Sequence, residues 1–291
     1  MTTLQQIIDD LTQEAARIQI QGRGLRPDEM ARVQAIYEAL PHLKKALEIL
    51  EKKIQSTLIT YKIVADLDGK LKQAGRVACN FWNRFVIPNY SVVIRLGLFT
   101  SNSNTIARAY KPYERDGVYY GVIEFNTKYL STFSRNQISG TIAHEIGHTL
   151  GIGWNEWEKL FDHSNGKFDE SAIQAINDLK DMRVETEYGP GTQYSHWDEE
   201  RHGEELMTGF KNTTEHVLPV TIEIMSLLGH QVAEKLPNKT DLNALLDSLA
   251  QITFSRQGEA KSLNLDHFEE TEIWENVPHD QPMSRKSSKK A

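Results

Sequence analysis

The chain has 291 residues, a net charge of −7 and a single cysteine, Cys79. A mildly acidic chain is a poor general binder of nucleic acid, no apolar run approaches the roughly 20 residues that span a membrane, and one cysteine excludes an intrachain disulfide. The first residues lack the apolar core of a signal peptide, so the sequence predicts a protein that is cytoplasmic or exported without a cleaved leader.

Residues 1–57 are predicted to form helices. The stretch "LQQIIDDLTQEAARIQI" carries apolar residues at helical spacing, and a second helix is expected to open with Pro27 and Asp28 in its first turn. Pro41 is expected to break that helix, because proline removes a helical hydrogen bond. Three roles stay open for this region: a propeptide that blocks a cleft, a docking module that makes a regulatory contact with a partner, or a helical cap on the core.

The composition changes near residue 58, where strands and helices begin to alternate. Strands are predicted at "LITYKIVADL", "YSVVIRLGLFT", "TIARAY" and "YYGVIEFN", and the stretch "GKLKQAGRVACNFWNRF" has the apolar stripe of a helix. A further helix is predicted at "PVTIEIMSLL", ending at Gly229. The predicted fold class is therefore α+β with a mixed sheet. Residues 276–291 are polar and basic and are predicted to be a disordered tail.

A helix from about Arg135 to Leu150 carries the most informative motif of the chain. Ser134 and Gln137 form a capping-box pattern at its start, and Gly151 stands where a helix ends in a left-handed residue. Isoleucines recur every four residues, and the histidines of His-Glu-Ile-Gly-His lie roughly 160° from that apolar stripe. The sequence therefore predicts a helix with an apolar face towards the core and a histidine face towards a cleft.

His144 and His148 are predicted to bind a zinc ion. Residues one helical turn apart are neighbours, so both imidazoles reach the same ion, whereas Glu145 points to the adjacent side, close enough to touch a metal-bound water. A catalytic zinc site usually has a third protein ligand and keeps one position open. Spacing alone does not choose this ligand among the later histidines and the carboxylates between residues 156 and 170.

The stretch "SHWDEERHGEELMTGF", residues 195–210, makes a family resemblance specific. A glycine three residues after the second histidine of HExxH begins the metzincin zinc signature, and Gly151 stands at that position. Leishmanolysin-like proteases insert a long segment after this glycine and then supply the third ligand in an "SHW"-like sequence, with "ELM" further on. Over about residues 58–232 the chain resembles this family.

The resemblance implies that His196 is the third zinc ligand and that Met207 forms the turn beneath the metal. It implies a zinc metalloprotease domain over residues 58–275 with a metzincin-like architecture, in which a twisted mixed sheet and a zinc-site helix are followed by a C-terminal helical subdomain. Trp154 stands where most metzincins place their third histidine. In this chain that position falls inside an insertion of about residues 152–194.

The implied activity is hydrolysis of peptide bonds with one catalytic Zn²⁺, and the implied partner is a protein or peptide substrate. Glu145 would act as the general base that takes a proton from the metal-activated water and passes it to the departing amine. By the same resemblance, "TIARAY" would be the edge strand above the cleft. An extended substrate would pair there with the main chain of Ala107, Arg108 and Ala109.

Two alternatives stay open. One keeps the zinc but takes a carboxylate from residues 156–170 as the third ligand, as in thermolysin-like enzymes. The other is a non-catalytic zinc-binding interaction module on a metzincin fold. The intact Glu145 argues against this second alternative, because a purely structural site has no use for a base.

Overall fold

The computed structural model describes residues 2–19, 26–189, 191–250 and 283–287. The chain divides into two compact units, and the described residues up to Ser56 belong to the first and those from Thr57 onwards to the second. In the described residues the α-helices are α1 (Thr2–Gln19), α2 (Pro27–Ser56), α3 (Lys70–Phe85), α4 (Thr127–Leu130), α5 (Arg135–Thr149), α6 (Asn155–Glu158), α7 (Glu170–Ala175), α8 (Glu199–His202), α9 (Pro219–Glu223) and α10 (Leu242–Ala250).

The strands of the described residues are β1 (Ile59–Ile63), β2 (Val86–Ile87), β3 (Ser91–Phe99), β4 (Thr105–Ala109), β5 (Tyr113–Arg115), β6 (Val118–Asn126), β7 (Phe161–Asp162), β8 (Lys167–Phe168), β9 (Phe210–Lys211), β10 (His216–Val217), β11 (Gln231–Val232), β12 (Thr240–Asp241) and β13 (Met283–Ser287). In these residues no helix combines the length and the hydrophobicity needed to cross a membrane.

The first unit is a pair of helices, α1 and α2, which pack through apolar side chains at helical spacing. Ile8 and Ala15 of α1 lie in one buried cluster with Ile36 and Leu40 of α2. This agrees with the predicted helical region. Whether the region is a propeptide, a docking module or a cap stays a prediction.

The break predicted at Pro41 is wrong, because α2 runs without interruption from Pro27 to Ser56. Leu40 before the proline and Leu43 after it both pack against the same apolar cluster. These contacts hold the two halves of α2 on one partner helix, which compensates for the hydrogen bond that the proline cannot make.

A seven-stranded mixed sheet forms the centre of the second unit. Its strand order is β1-β3-β6-β4-β13-β9, with β5 also paired to β6. Strands β1, β3 and β6 are parallel to one another, and β4 is antiparallel to β6. The strands predicted from β-branched and aromatic stretches are thus confirmed as β1, β3, β4 and β6, and the class is α+β.

Helices α3 and α5 pack against each other and against this sheet. Alternation along β3 places Val92, Ile94 and Leu96 in the main core, while Val93 belongs to a separate small cluster. The indole N–H of Trp82 in α3 donates to the carbonyl of Ala143 in α5 at 2.7 Å. The helix that carries the HExxH motif is therefore fixed by both packing and a buried hydrogen bond.

The ends of α5 agree with the prediction, but its surroundings do not. Ser134 and Gln137 form the capping box. The predicted histidine face towards an open cleft is wrong, because every residue from Ile138 to Thr149 is buried. The chain around Met207 packs onto the histidine side of the helix and covers it.

The prediction that β4 is an edge strand is also wrong, because β13 pairs with it. Strand β13 lies in residues 276–291, where the sequence predicts disorder. The structure differs from that expectation for Met283–Ser287, and the rest of the range lies outside the described residues. A strand edge offers unpaired main-chain groups, and these can order a basic segment through its backbone alone.

The described part of residues 152–194, where the resemblance predicts an insertion, links α5 to His196. Trp157, Phe161 and Phe168 are buried there, and the indole of Trp157 packs against Trp197 with ring centroids 5.1 Å apart. The helix predicted at "PVTIEIMSLL" is shorter than expected, because α9 stops at Glu223 and a 3-10 turn follows.

Candidate metal centre

Three histidine side chains converge on one point in the second unit. The Nε2 atoms of His144 and His148 are 3.0 Å apart, and Nε2 of His196 lies 3.2 Å from each of them. A tetrahedral zinc ion with Zn–N bonds of 2.0–2.1 Å holds its ligand nitrogens about 3.3 Å apart. The observed spacing therefore fits one metal ion.

The other nitrogen of each ring lies against a main-chain carbonyl oxygen. His144 Nδ1 is 2.7 Å from Leu206 O, and His148 Nδ1 is 3.0 Å from Ile152 O. His196 Nδ1 is 2.9 Å from Thr192 O. Because a carbonyl oxygen only accepts, each neutral ring carries its proton on Nδ1 and directs the lone pair of Nε2 towards the common centre.

This set of donors is buried and chemically uniform. The three histidines have a relative exposure of 0%, so any ion there is shielded from bulk water. In the part of the chain that the structure describes, no other three His, Cys, Asp or Glu residues bring ligand atoms within 4.8 Å of one another. Three buried imidazole lone pairs that face one centre form a site that can hold a metal ion.

The predicted carboxylate alternatives for the third ligand do not join this group. Glu156 is an exposed residue that forms an ion pair with Lys159, and Asp169 and Glu170 are exposed at the start of α7. Glu145 lies next to His144 on α5 and is itself fully buried. The structure therefore brings together the three predicted histidines, with the predicted base on the same helix as two of them, and leaves the acidic residues between 156 and 170 on the surface.

Met207, which the resemblance assigns to a turn beneath the metal, packs against α5 beside Gly147. A Cβ on Gly147 would stand 2.7 Å from Met207 Sδ, so the thioether reaches the helix only because residue 147 has no side chain. The preceding residue, Leu206, accepts the hydrogen bond from His144. The turn thus both underlies α5 and orients one of the imidazoles.

A buried carboxylate holds this turn in place, and it was missed in the sequence. Glu205 accepts hydrogen bonds from Met207 N at 2.6 Å, from Leu218 N at 3.1 Å and from Thr221 Oγ1 at 2.7 Å. Thr221 Oγ1 also accepts the indole N–H of Trp197 at 3.0 Å. This network links the residue after His196 to the Met207 turn; its signal in the sequence is the glutamate of "ELM".

The end of α5 positions His148. Gly151 has φ of +119°, and Ile152 N donates to Gly147 O at 3.2 Å as the chain reverses. That reversal brings Ile152 O to His148 Nδ1. The glycine predicted to stop the helix therefore also sets the carbonyl that fixes one imidazole ring.

The predicted substrate strand lies in the sheet beside α5. Ala107 and Ala109 of β4 are buried, and the guanidinium of Arg108 bonds Glu124, with its Nε 2.6 Å from the carboxylate. The Arg108 side chain is therefore engaged within the sheet. The main chain of β4 is paired on one side with β6 and on the other with β13.

No protein-family model matches this chain, and no curated protein matches it. The likeness to leishmanolysin-like metzincins therefore rests on the quoted motifs, and membership of that family is a proposal.

Proposed function

We propose that this chain is a zinc-dependent endopeptidase with a leishmanolysin-like metzincin core over about residues 58–232. The observation that carries the proposal is the convergence of three Nε2 atoms within 3.2 Å of one another, next to a buried glutamate on the same helix. Three imidazoles that leave one coordination position open are typical of a catalytic rather than a structural zinc site.

The proposed roles follow from this arrangement. Zinc held by three neutral imidazoles supplies a Lewis acid that polarises the substrate carbonyl and acidifies a bound water. The Nδ1–H bonds to main-chain carbonyls keep His144, His148 and His196 in the tautomer that binds the ion. Glu145 takes the proton of the attacking water as the C–O bond forms, and delivers it to the amine nitrogen as the C–N bond breaks.

One observation favours the non-catalytic alternative. The three histidines and Glu145 have no exposed surface, as is usual for a metal that only stabilises a fold. A peptide then reaches Glu145 only after a covering segment has moved. A protein that binds zinc through the same histidines and cleaves no peptide would be such an interaction module.

Cleavage of a peptide library, read by mass spectrometry, tests the proposal. We expect the parent protein to cut internal peptide bonds and Glu145→Gln to lose about 10²–10⁴-fold of that activity with its zinc content unchanged, because the substitution removes only the base. Glu156→Gln is the matched control, since Glu156 is exposed and outside the cluster, and it should keep parental activity. Equal cleavage by the parent and Glu145→Gln would refute the assigned role.

A further inference from the structure

Strand β13 fills a gap in the sheet between two elements that flank the metal centre. Its register pairs Ser284 with Arg108 of β4 in the antiparallel sense and Lys286 with Phe210 of β9 in the parallel sense. Strand β9 begins three residues after Met207, and β4 packs against the zinc-site helix. A short segment of the chain, Met283–Ser287, thus lies as a middle strand with partners on both sides.

The positions that β13 occupies are those at which the metzincin resemblance implies a substrate. It pairs with Ala107, Arg108 and Ala109, the main-chain edge where an extended peptide was expected to add. The backbone of β13 therefore occupies the strand edge at which a substrate was expected to pair.

We infer that the groove between β4 and β9 is a binding site for an extended basic peptide, and that Met283–Ser287 is its resident occupant, which a substrate must displace. The displacement by a substrate rests on the proposed function. The pairing of Met283–Ser287 with β4 and β9 does not depend on catalysis. Main-chain pairing on both sides supplies the binding, as in other cases where a peptide adds a strand to a sheet.

The cations on the two flanking strands are already paired, Arg108 with Glu124 and Lys211 with Glu215, and further carboxylates lie at the β9 end of the groove. Residues 281–291 contain two arginine or lysine residues within β13 and two beyond it, with no acidic residue. The ring of Phe210, the register partner of Lys286, packs on Tyr188 with centroids 5.0 Å apart. Burial and four nearby carboxylates raise the pKa of the Tyr188 phenol, and those carboxylates belong to Glu200, Glu185, Glu199 and Glu187. An acidic surrounding at this end of the groove attracts a cationic segment.

Hydrogen exchange on the full chain tests the occupancy directly. The variant Ser284→Pro with Ser287→Pro removes one amide donor from the stretch that pairs with β4 and one from the stretch that pairs with β9, and it keeps Arg285 and Lys286. Its matched control replaces the same serines by alanine, which leaves both amides. We expect Thr105–Ala109 to exchange at least tenfold faster in the proline variant and at the parental rate in the alanine variant. Equal exchange in all three proteins would overturn the inference.

Peptide binding separates this inference from the proposed function. The probe is a fluorescent synthetic peptide of residues 281–291, measured by anisotropy in the Glu145→Gln background so that no cleavage is needed. If the resident segment fills the groove in nine of ten parent molecules, only about one tenth of them can bind the probe. The proline variant, in which the groove is free, should therefore bind the probe about tenfold more tightly than the parent. A probe with Arg285→Glu and Lys286→Glu should bind more weakly.

Each outcome decides one of the two claims. Faster exchange and tighter binding without any hydrolysis by the parent would support the occupied groove and count against the peptidase. Hydrolysis by the parent, with the same KM and the same probe affinity in the proline and alanine variants, would support the peptidase and overturn the resident segment.

Discussion

Gly147 lies in the turn of α5 between His144 and His148, and its missing side chain makes room for the residues beneath the site. A Cβ there would stand 2.7 Å from Met207 Sδ and 3.2 Å from Trp82 Cζ2. Met207 and Trp82 are fully buried, so neither has free space into which it can shift. The close approach of the turn to the helix therefore depends on this one glycine.

Gly147→Ala is expected to lower the free energy of unfolding by about 1–3 kcal/mol, the usual cost of overpacking a core. Zinc affinity should fall by about tenfold or more, because moving Met207 also moves the Leu206 carbonyl that orients His144. Gly140→Ala on the same helix is the control. Its added Cβ would stand 3.1 Å from Leu242 Cδ2, and Leu242 does not belong to the histidine cluster. Urea denaturation and zinc titration measure both quantities; equal zinc affinity in the two variants would contradict this role.

The site residues differ in how readily the sequence reveals them. His144, Glu145 and His148 share one helix, so local spacing alone predicts that they work together. His196 lies 48 residues beyond His148, and only the resemblance carried by "SHW" and "ELM" selected it. Glu205 and Gly147 were missed because their roles consist of contacts between segments that are distant in the chain.

The end of α5 both terminates the helix and positions His148 of the candidate metal centre. Gly151 has φ of +119°, a conformation that is strained for any residue with a side chain. A Cβ added at Gly151 would stand 3.6 Å from the nearest atoms, which belong to Leu228, so it would fit without a clash. The loss of stability on substitution is therefore expected to come from the backbone conformation.

Gly151→Ala is expected to cost about 1–3 kcal/mol of stability through this backbone strain. It should also weaken zinc binding about 10–100-fold, because the shifted Ile152 carbonyl no longer fixes the His148 ring. Gly117→Ala is the control, because it also places a side chain at a positive φ, +76° in the β5–β6 turn, with no atom within 4 Å of the added Cβ. It should lose stability without losing zinc. Parallel thermal melts and zinc titrations test the pair, and an unchanged zinc affinity in Gly151→Ala would count against the coupling.

Elements with local signals were predicted, and elements that depend on distant partners were not. The capping box and Gly151 mark both ends of α5, and β-branched runs mark β3 and β6. The uninterrupted α2 was missed, since apolar contacts with α1 outweigh the local effect of Pro41. Strand β13 was missed because a short basic segment carries no local pattern that predicts pairing with β4, more than 170 residues earlier in the chain.

For the whole molecule, one buried and two half-buried histidines outside the histidine cluster make stability depend on pH. Burial, opposed in part by the hydrogen bond to Leu150 O, lowers the pKa of His230 below its ordinary value of 6.5. Burial also lowers the pKa of His202 and of His216. At a pH above 6.5 these groups are neutral in both states. As the pH falls below 6.5 the unfolded chain binds protons first, so stability falls until the folded pKa is passed.

His230→Gln is expected to reduce this loss of stability on acidification, because glutamine can still donate to Leu150 O but does not titrate. The comparison uses urea denaturation of chelator-treated protein between pH 7.5 and 5.5, so that zinc binding does not contribute. His42→Gln replaces an exposed histidine and is the control, which should follow the parent. A slope for His230→Gln as steep as that of the parent would show that His230 is not a source of the acid sensitivity.

The α+β class followed from the alternation of strand and helix patterns, whereas the enclosure of the metal centre did not. Burial of the three histidines depends on segments around residues 147, 192 and 207 that meet only in the folded chain. A helical periodicity describes one element and carries no information about what covers its polar face. The sequence thus predicted the clustering of the three histidines more fully than it predicted their surroundings.

The metal content of the purified parent and of His196→Ala, measured by mass spectrometry, tests whether the three histidines together hold one ion. We expect one zinc ion per chain in the parent and in the exposed-histidine control His42→Ala, and loss of tightly bound zinc in His196→Ala. At free zinc one hundred times the Kd, the parent should also gain about 2.7 kcal/mol of stability that His196→Ala lacks. A parent that binds no transition metal, or a His196→Ala protein that retains its zinc, would contradict the three-histidine site.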